Sequence, residues 1–296
     1  MHLSIQNFMN KNQVLKQRTL TGIIFGVIVI TLIQSGVYGA ILLALIIAMA
    51  GNVEYIKMIF PDENHKIITS LSINILVIIG LIFIHPNSSI YLYMSLLSCL
   101  MMILGILNLY FPIIRHEQVY WIVSVFYFGL PFGLFISHLY NVTPYLPYFW
   151  LSVLIMIWMS DSFAYLVGSR IGKHKLFEKI SPKKSWEGFL GAGFIALPIA
   201  YWLGSRYFNT SADMYGISPE SVGNSGLFWT MIAAAAWIIG TMGDLVESSI
   251  KRTFGIKDSG NILPGHGGIL DRFDSFIYIL PFVLFLLSFY SQSKFI

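Results

Sequence analysis

Nine apolar runs divide the sequence, each near the roughly 20 residues that a helix needs to cross a hydrocarbon core of about 30 Å. They lie near residues 19–34, 36–56, 67–85, 89–111, 119–139, 147–168, 186–207, 226–248 and 270–290. The first two meet at Gln34-Ser35-Gly36, so one long apolar stretch is the alternative reading of that pair. Polar residues gather between the runs instead of alternating within them. The pattern predicts an all-α polytopic integral membrane protein of about nine transmembrane helices.

Composition agrees. Of the 296 residues 56% are hydrophobic and 11% charged, where soluble domains carry roughly 25% charged residues. Basic residues mark the cytoplasmic side of a membrane protein. With nine spans and a cytoplasmic N-terminus, 16 of the 18 Lys and Arg residues fall on the cytoplasmic side, and only Arg206 and Lys294 fall on the other. The net charge of +4 then reflects topology and anion binding, with no call for nucleic acid. Cys99 stands alone in an apolar run, which excludes a disulfide within the chain and a cysteine-based metal site. Residues 1–18 are polar and lack the short apolar core of a removable signal peptide.

The chain reads as a single membrane domain over 1–296 whose halves differ. Residues 1–150 hold nearly uncharged spans with short connections and predict a helical scaffold. Residues 151–296 carry charged, glycine-bearing clusters on the cytoplasmic side and predict the catalytic half.

Four clusters carry that charge. Asp161 follows the apolar run 151–159, and an ionisable group at membrane depth is costly enough to suggest function; a structural ion pair, for example with Arg170, is the plainer alternative. Gly168 and Gly172 nearby suit close helix packing or a helix end. In Lys179-Ile-Ser-Pro-Lys-Lys-Ser-Trp-Glu-Gly, Ser181 and Pro182 predict a helix start, with Lys183 and Lys184 in its first turn. An anion bound there would relieve the conflict between lysines and helix dipole, although lysines of this kind are also common flanking charge. In Gly243-Asp-Leu-Val-Glu-Ser-Ser-Ile-Lys-Arg, helical spacing places Asp244, Glu247, Ser248, Lys251 and Arg252 as near neighbours. Simple intrahelical pairs, Asp244 with Ser248 or Glu247 with Lys251, explain that spacing equally well.

The fourth cluster runs from Lys257 through a glycine-rich loop to Asp271-Arg272-Phe-Asp274. Asp271 and Asp274 share one helical face and are hard oxygen ligands suited to Mg²⁺. A metal shared by Asp271 and Asp244 would offset the cost of burying both, while His266 and Arg272 remain for an anionic substrate. Charges that merely mark the membrane boundary are the alternative. Together the clusters suggest a membrane enzyme with an acidic metal centre ringed by cations, as phosphoryl or nucleotidyl transfer requires. No P-loop is present. A cation transporter would spread its acids across membrane depth, whereas these map to one side.

The stretch Ser248 to Asp274, SSIKRTFGIKDSGNILPGHGGILDRFD, resembles from end to end the signature of the phosphatidate cytidylyltransferases, or CDP-diacylglycerol synthases. Asp161-Ser-Phe-Ala-Tyr, Gly168–Leu176, Ser181-Pro-Lys-Lys-Ser-Trp-Glu-Gly and Gly243-Asp-Leu-Val-Glu-Ser resemble that family's other motifs, with Ser185 where Thr is as frequent. The resemblance covers the second half of the chain. It implies transfer of a cytidylyl group from CTP to phosphatidate with Mg²⁺ and a possible second cation, in a homodimer of a bacterial inner membrane whose active site faces the cytoplasm. By position it implies Asp244, Asp271 and Asp274 as metal ligands and, with Lys251, as catalytic residues. Ser181, Lys183, Lys184, Arg252, Lys257 and Arg272, together with Asp161 and His266, become substrate-binding residues. The alternative substrate is another membrane lipid phosphate, since lipid tails would meet only uncharged helices.

Overall fold

The computed structural model describes residues 2–111, 117–207, 225–263, 265 and 267–292. Among these, eight helices are long and apolar enough to cross a membrane, and the apolar part of α1, Thr19–Gln34, adds a shorter one. The elements are α1 (His2–Gln34), α2 (Val37–Ile59), α3 (Asn64–Ile82), α4 (Ser89–Tyr110), α5 (Glu117–Ser124), α6 (Leu130–Asn141), α7 (Pro147–Ile171), β1 (Lys175–Phe177), β2 (Ser181–Ser185), α8 (Trp186–Arg206), α9 (Ser225–Ala235), α10 (Thr241–Thr253) and α11 (Leu270–Gln292). The first two apolar runs are separate helices. Gly36 between them has φ of 110°, a conformation that residues with a Cβ rarely adopt.

Two spans contain a π turn, Val125–Gly129 between α5 and α6 and Ala236–Gly240 between α9 and α10. Such single-turn bulges are frequent at functional sites. Two helices also outrun their apolar stretches. α7 continues to Ile171 and α10 to Thr253, so Asp161, Arg170, Lys251 and Arg252 all lie on helices.

α11 is the most buried span and packs against α2, α4, α6 and α10. Ile277, Leu280, Val283 and Leu284 along it are fully buried, while Leu20, Ile24 and Phe194 on outer helices are exposed, as side chains that face lipid should be. α7 and α8 lie very close. A Cβ on Gly188 would come 3.0 Å from the Cα of Gly168 and 2.6 Å from the carbonyl oxygen of Ala164, so small residues bring the two backbones together.

One element departs from the sequence reading. The segment from Ser181 does not open a helix: Ser181–Ser185 is a strand paired antiparallel with Lys175–Phe177. The cap is Ser185, whose hydroxyl accepts the Gly188 N–H at 3.2 Å, and α8 starts at Trp186. The carboxylate of Glu187 ties the hairpin down by accepting the N–H groups of Lys173 at 3.0 Å and His174 at 3.2 Å. Lys183 and Lys184 therefore sit on an extended chain, not in a helical first turn.

Candidate active site

Strand geometry decides which of the two lysines turns inward, because successive side chains point to opposite faces. Lys183 is exposed. Lys184 reaches α10, where its ammonium pairs with Asp244 at 2.6 Å. Asp244 also accepts the Ser248 hydroxyl at 3.2 Å.

On α10, Asp244, Glu247, Ser248 and Lys251 recur at the i, i+3, i+4 and i+7 spacing that places them on one face. Lys251 is buried and forms two ion pairs, with Glu247 one turn earlier and with Asp271 of α11 at 2.6 Å. Glu247 is 1% exposed, and the Lys251 ammonium is its charged partner. Both intrahelical pairs expected from spacing alone are thus formed, and both belong to a larger cluster.

α11 supplies the remaining acids. Asp274 is buried and accepts the Ser275 N–H at 2.6 Å. The Ser275 hydroxyl binds the carbonyl of Gly240 at 3.1 Å, which fixes this turn of α11 against the π turn before α10. Ligand oxygens of Asp244, Glu247 and Asp274 lie within 4.8 Å of one another. Asp271 lies outside this trio. Its oxygens accept Lys251 at 2.6 Å, the Ser259 N–H at 3.0 Å and the Gly268 N–H at 2.8 Å. Asp161 of α7 lies close enough to interact electrostatically with Lys184 and Asp244.

Charge bookkeeping gives the cluster its chemistry. Four carboxylates, Asp244, Glu247, Asp271 and Asp274, meet two ammonium groups, Lys184 and Lys251. At least two negative charges remain in a largely buried volume, before the neighbouring Asp161 is counted. Like charges so close must be balanced by protons or a cation, and an oxygen-only donor set suits a hard divalent ion such as Mg²⁺.

The other predicted residues spread around this centre. Arg252 is exposed at the end of α10 and donates to the carbonyl of Ile256 at 2.8 Å. Lys257 and Arg272 are exposed, and Ser181 is half-buried at the start of β2. His266 lies outside the described residues.

Two acids escaped assignment from sequence. Glu247 was visible by spacing, but only the fold shows how completely it is buried. Glu54 of α2 gave no signal, yet its buried carboxylate accepts the N–H groups of Ile269 at 3.0 Å and Leu270 at 2.8 Å.

The face of α10 turned away from the acids, Val246, Ser249, Ile250 and Thr253, helps α4 and α5 line a cleft of about 480 Å³. Its remaining walls include Met101, Leu104, Tyr127 and Tyr278. That volume lies within the range of small-molecule sites, and so does the apolar lining with a few polar groups.

A polytopic helical membrane protein with an acid–lysine centre is the class that fold and site define. The chain belongs to the cytidylyltransferase family, whose profile matches residues 16–290. It is similar to the phosphatidate cytidylyltransferase of Bacillus subtilis (strain 168), 41% identical over 169 residues, which cover 57% of this chain and 58% of that protein. The phosphatidate cytidylyltransferase of Staphylococcus aureus (strain COL) is 39% identical over 173 residues, 58% of this chain and 59% of that protein. The chain thus aligns with about three fifths of the length of these relatives.

Proposed function

We propose that the protein transfers the cytidylyl group of CTP to phosphatidate, giving CDP-diacylglycerol and pyrophosphate for phospholipid synthesis. The observation that carries this reading is the carboxylate trio flanked by Lys184 and Lys251, in a chain of the cytidylyltransferase family. A phosphate oxygen of phosphatidate attacks the α-phosphorus of CTP. The new P–O bond forms as the bond to the β-phosphate breaks, and pyrophosphate leaves. With a second pKa near about 6, the attacking phosphate is already largely anionic at neutral pH and needs no dedicated base.

Asp244, Glu247 and Asp274 would hold Mg²⁺, and Asp271 would join them by giving up its Lys251 partner. Bound there, the ion neutralises charge on the triphosphate. Lys184 and Lys251, poised on carboxylates, exchange those partners for phosphate oxygens. Lys183, Arg252, Lys257 and Arg272 provide exposed positive charge for the triphosphate and the lipid phosphate, and Asp161, Ser181 and His266 complete the substrate contacts. Position and electrostatic stabilisation then supply most of the catalysis. The apolar cleft beside α10 supports a substrate with acyl chains. Residues 151–296 supply the chemistry and residues 1–150 the scaffold, in a homodimer of a bacterial inner membrane with its site toward the cytoplasm.

The test is formation of labelled CDP-diacylglycerol from labelled CTP and phosphatidate by the detergent-purified protein. Mg²⁺-dependent product supports the assignment. Folded protein that binds CTP but makes no product from phosphatidate contradicts it and moves the assignment to another lipid phosphate.

A further inference from the structure

We infer that Glu54, on α2 in the half of the chain without charged motifs, is a positioning residue that sets the glycine-rich loop and the first turn of α11, and through them Asp271 and Asp274. The inference rests on the site proposed above.

α11 begins at Leu270, so the N–H groups of its first turn lack helical partners. Such groups are usually met by a side chain just before the helix. Here the local sequence is Gly267-Gly268-Ile269, which offers no side-chain oxygen. A carboxylate more than two hundred positions away takes the role. Glu54 Oε1 accepts the Ile269 N–H at 3.0 Å, and Oε2 accepts the Leu270 N–H at 2.8 Å and the Ser259 hydroxyl at 3.0 Å. A carboxylate at a helix N-terminus also meets the positive end of the dipole, and Glu54 has no ion pair among the described residues.

The loop is shaped to admit it. A Cβ on Gly260 would lie 2.6 Å from Glu54 Oε1, and one on Gly268 would fall within 2.6 Å of the Glu54 carboxyl carbon. Ser259 connects the lock to the site. Its hydroxyl binds Glu54 while its N–H binds Asp271 at 3.0 Å. The Gly268 N–H, one residue before the Glu54-capped pair, binds the same Asp271 oxygen at 2.8 Å. Glu54 thus holds both backbone segments that hold Asp271, without touching the acid cluster itself.

The experiment compares Glu54→Gln and Ser259→Ala with the wild type in detergent. Amide exchange across residues 257–272, kcat, KM for CTP and the Mg²⁺ concentration giving half-maximal rate are read on monodisperse protein. Glu54→Gln removes the charge and one acceptor. It is expected to speed exchange at residues 269 and 270, to lower kcat at least about tenfold, since misplacement by 1 Å can cost roughly 10²-fold, and to raise the Mg²⁺ requirement. Ser259→Ala removes one donor and is expected to shift the same quantities in the same direction by less. A purely structural Glu54 would lower the folded yield and leave kcat and the Mg²⁺ requirement of the folded fraction within twofold of wild type, which would overturn the inference. Unchanged exchange in both variants would overturn it as well. Absence of product from the wild type would instead defeat the proposed reaction, and the exchange measurement would still decide whether the lock exists.

Discussion

Lys251 of α10 and Asp271 of α11 are 20 residues apart in sequence and joined at 2.6 Å. The same ammonium pairs with Glu247, so one buried lysine couples the last two helices and neutralises acids on both. Burying ions in this way is costly unless each has its partner.

Lys251→Met removes the partner of two acids at once. In metal-free protein it is expected to destabilise the fold by about 3–5 kcal/mol, the usual cost of stranding buried charge, and to abolish transfer. Thermal unfolding in detergent with EDTA, followed by repetition with Mg²⁺, checks this. Part of the lost stability should return with the cation.

Glu247→Gln makes the opposite prediction for the apo protein. Removing one of several crowded carboxylates relieves repulsion, so the variant should be at least as stable as wild type in EDTA. Mg²⁺ at about a hundred times its Kd should stabilise wild type by about 2.7 kcal/mol. The variant should gain less than half of that. Thermal midpoints with and without Mg²⁺ decide it.

Ser185→Ala separates helix capping from chemistry. Its hydroxyl caps α8, and losing such a cap costs about 1 kcal/mol. The expected result is a lower unfolding midpoint with kcat within about twofold of wild type, because Lys184 remains on β2. A large loss of kcat at unchanged stability would place the hydroxyl in the reaction.

Ser249→Trp tests the cleft. The residue lies on the face of α10 opposite the acids and lines the apolar space beside α4. Filling that space should raise the KM for phosphatidate about tenfold and leave the KM for CTP unchanged. Initial rates with each substrate varied in turn read the difference.

Most of the architecture was legible because lipid imposes a simple rule: apolar runs of spanning length become helices. The face of α10 was legible too, since Asp244, Glu247, Ser248 and Lys251 repeat at helical spacing. The start of α8 was misplaced because Ser181-Pro182 and Ser185 both carry capping signals, and only strand pairing with Lys175–Phe177 selects the second. The separation of Asp271 from the metal-capable trio depends on where α11 begins relative to the glycine loop. Glu54 could not be foreseen at all. Its partners are mainly backbone N–H groups more than two hundred residues away, and a backbone donor leaves no mark in a sequence.

The most direct measurement is Mg²⁺-dependent formation of CDP-diacylglycerol by wild type beside Asp244→Asn, which keeps the shape of the residue and removes the charge that Lys184 meets at 2.6 Å. Wild type is expected to give product and the variant at least about 10²-fold less, comparable to deleting one preorganised electrostatic group, with both proteins folded. Undiminished product from Asp244→Asn would contradict an active centre built on this cluster.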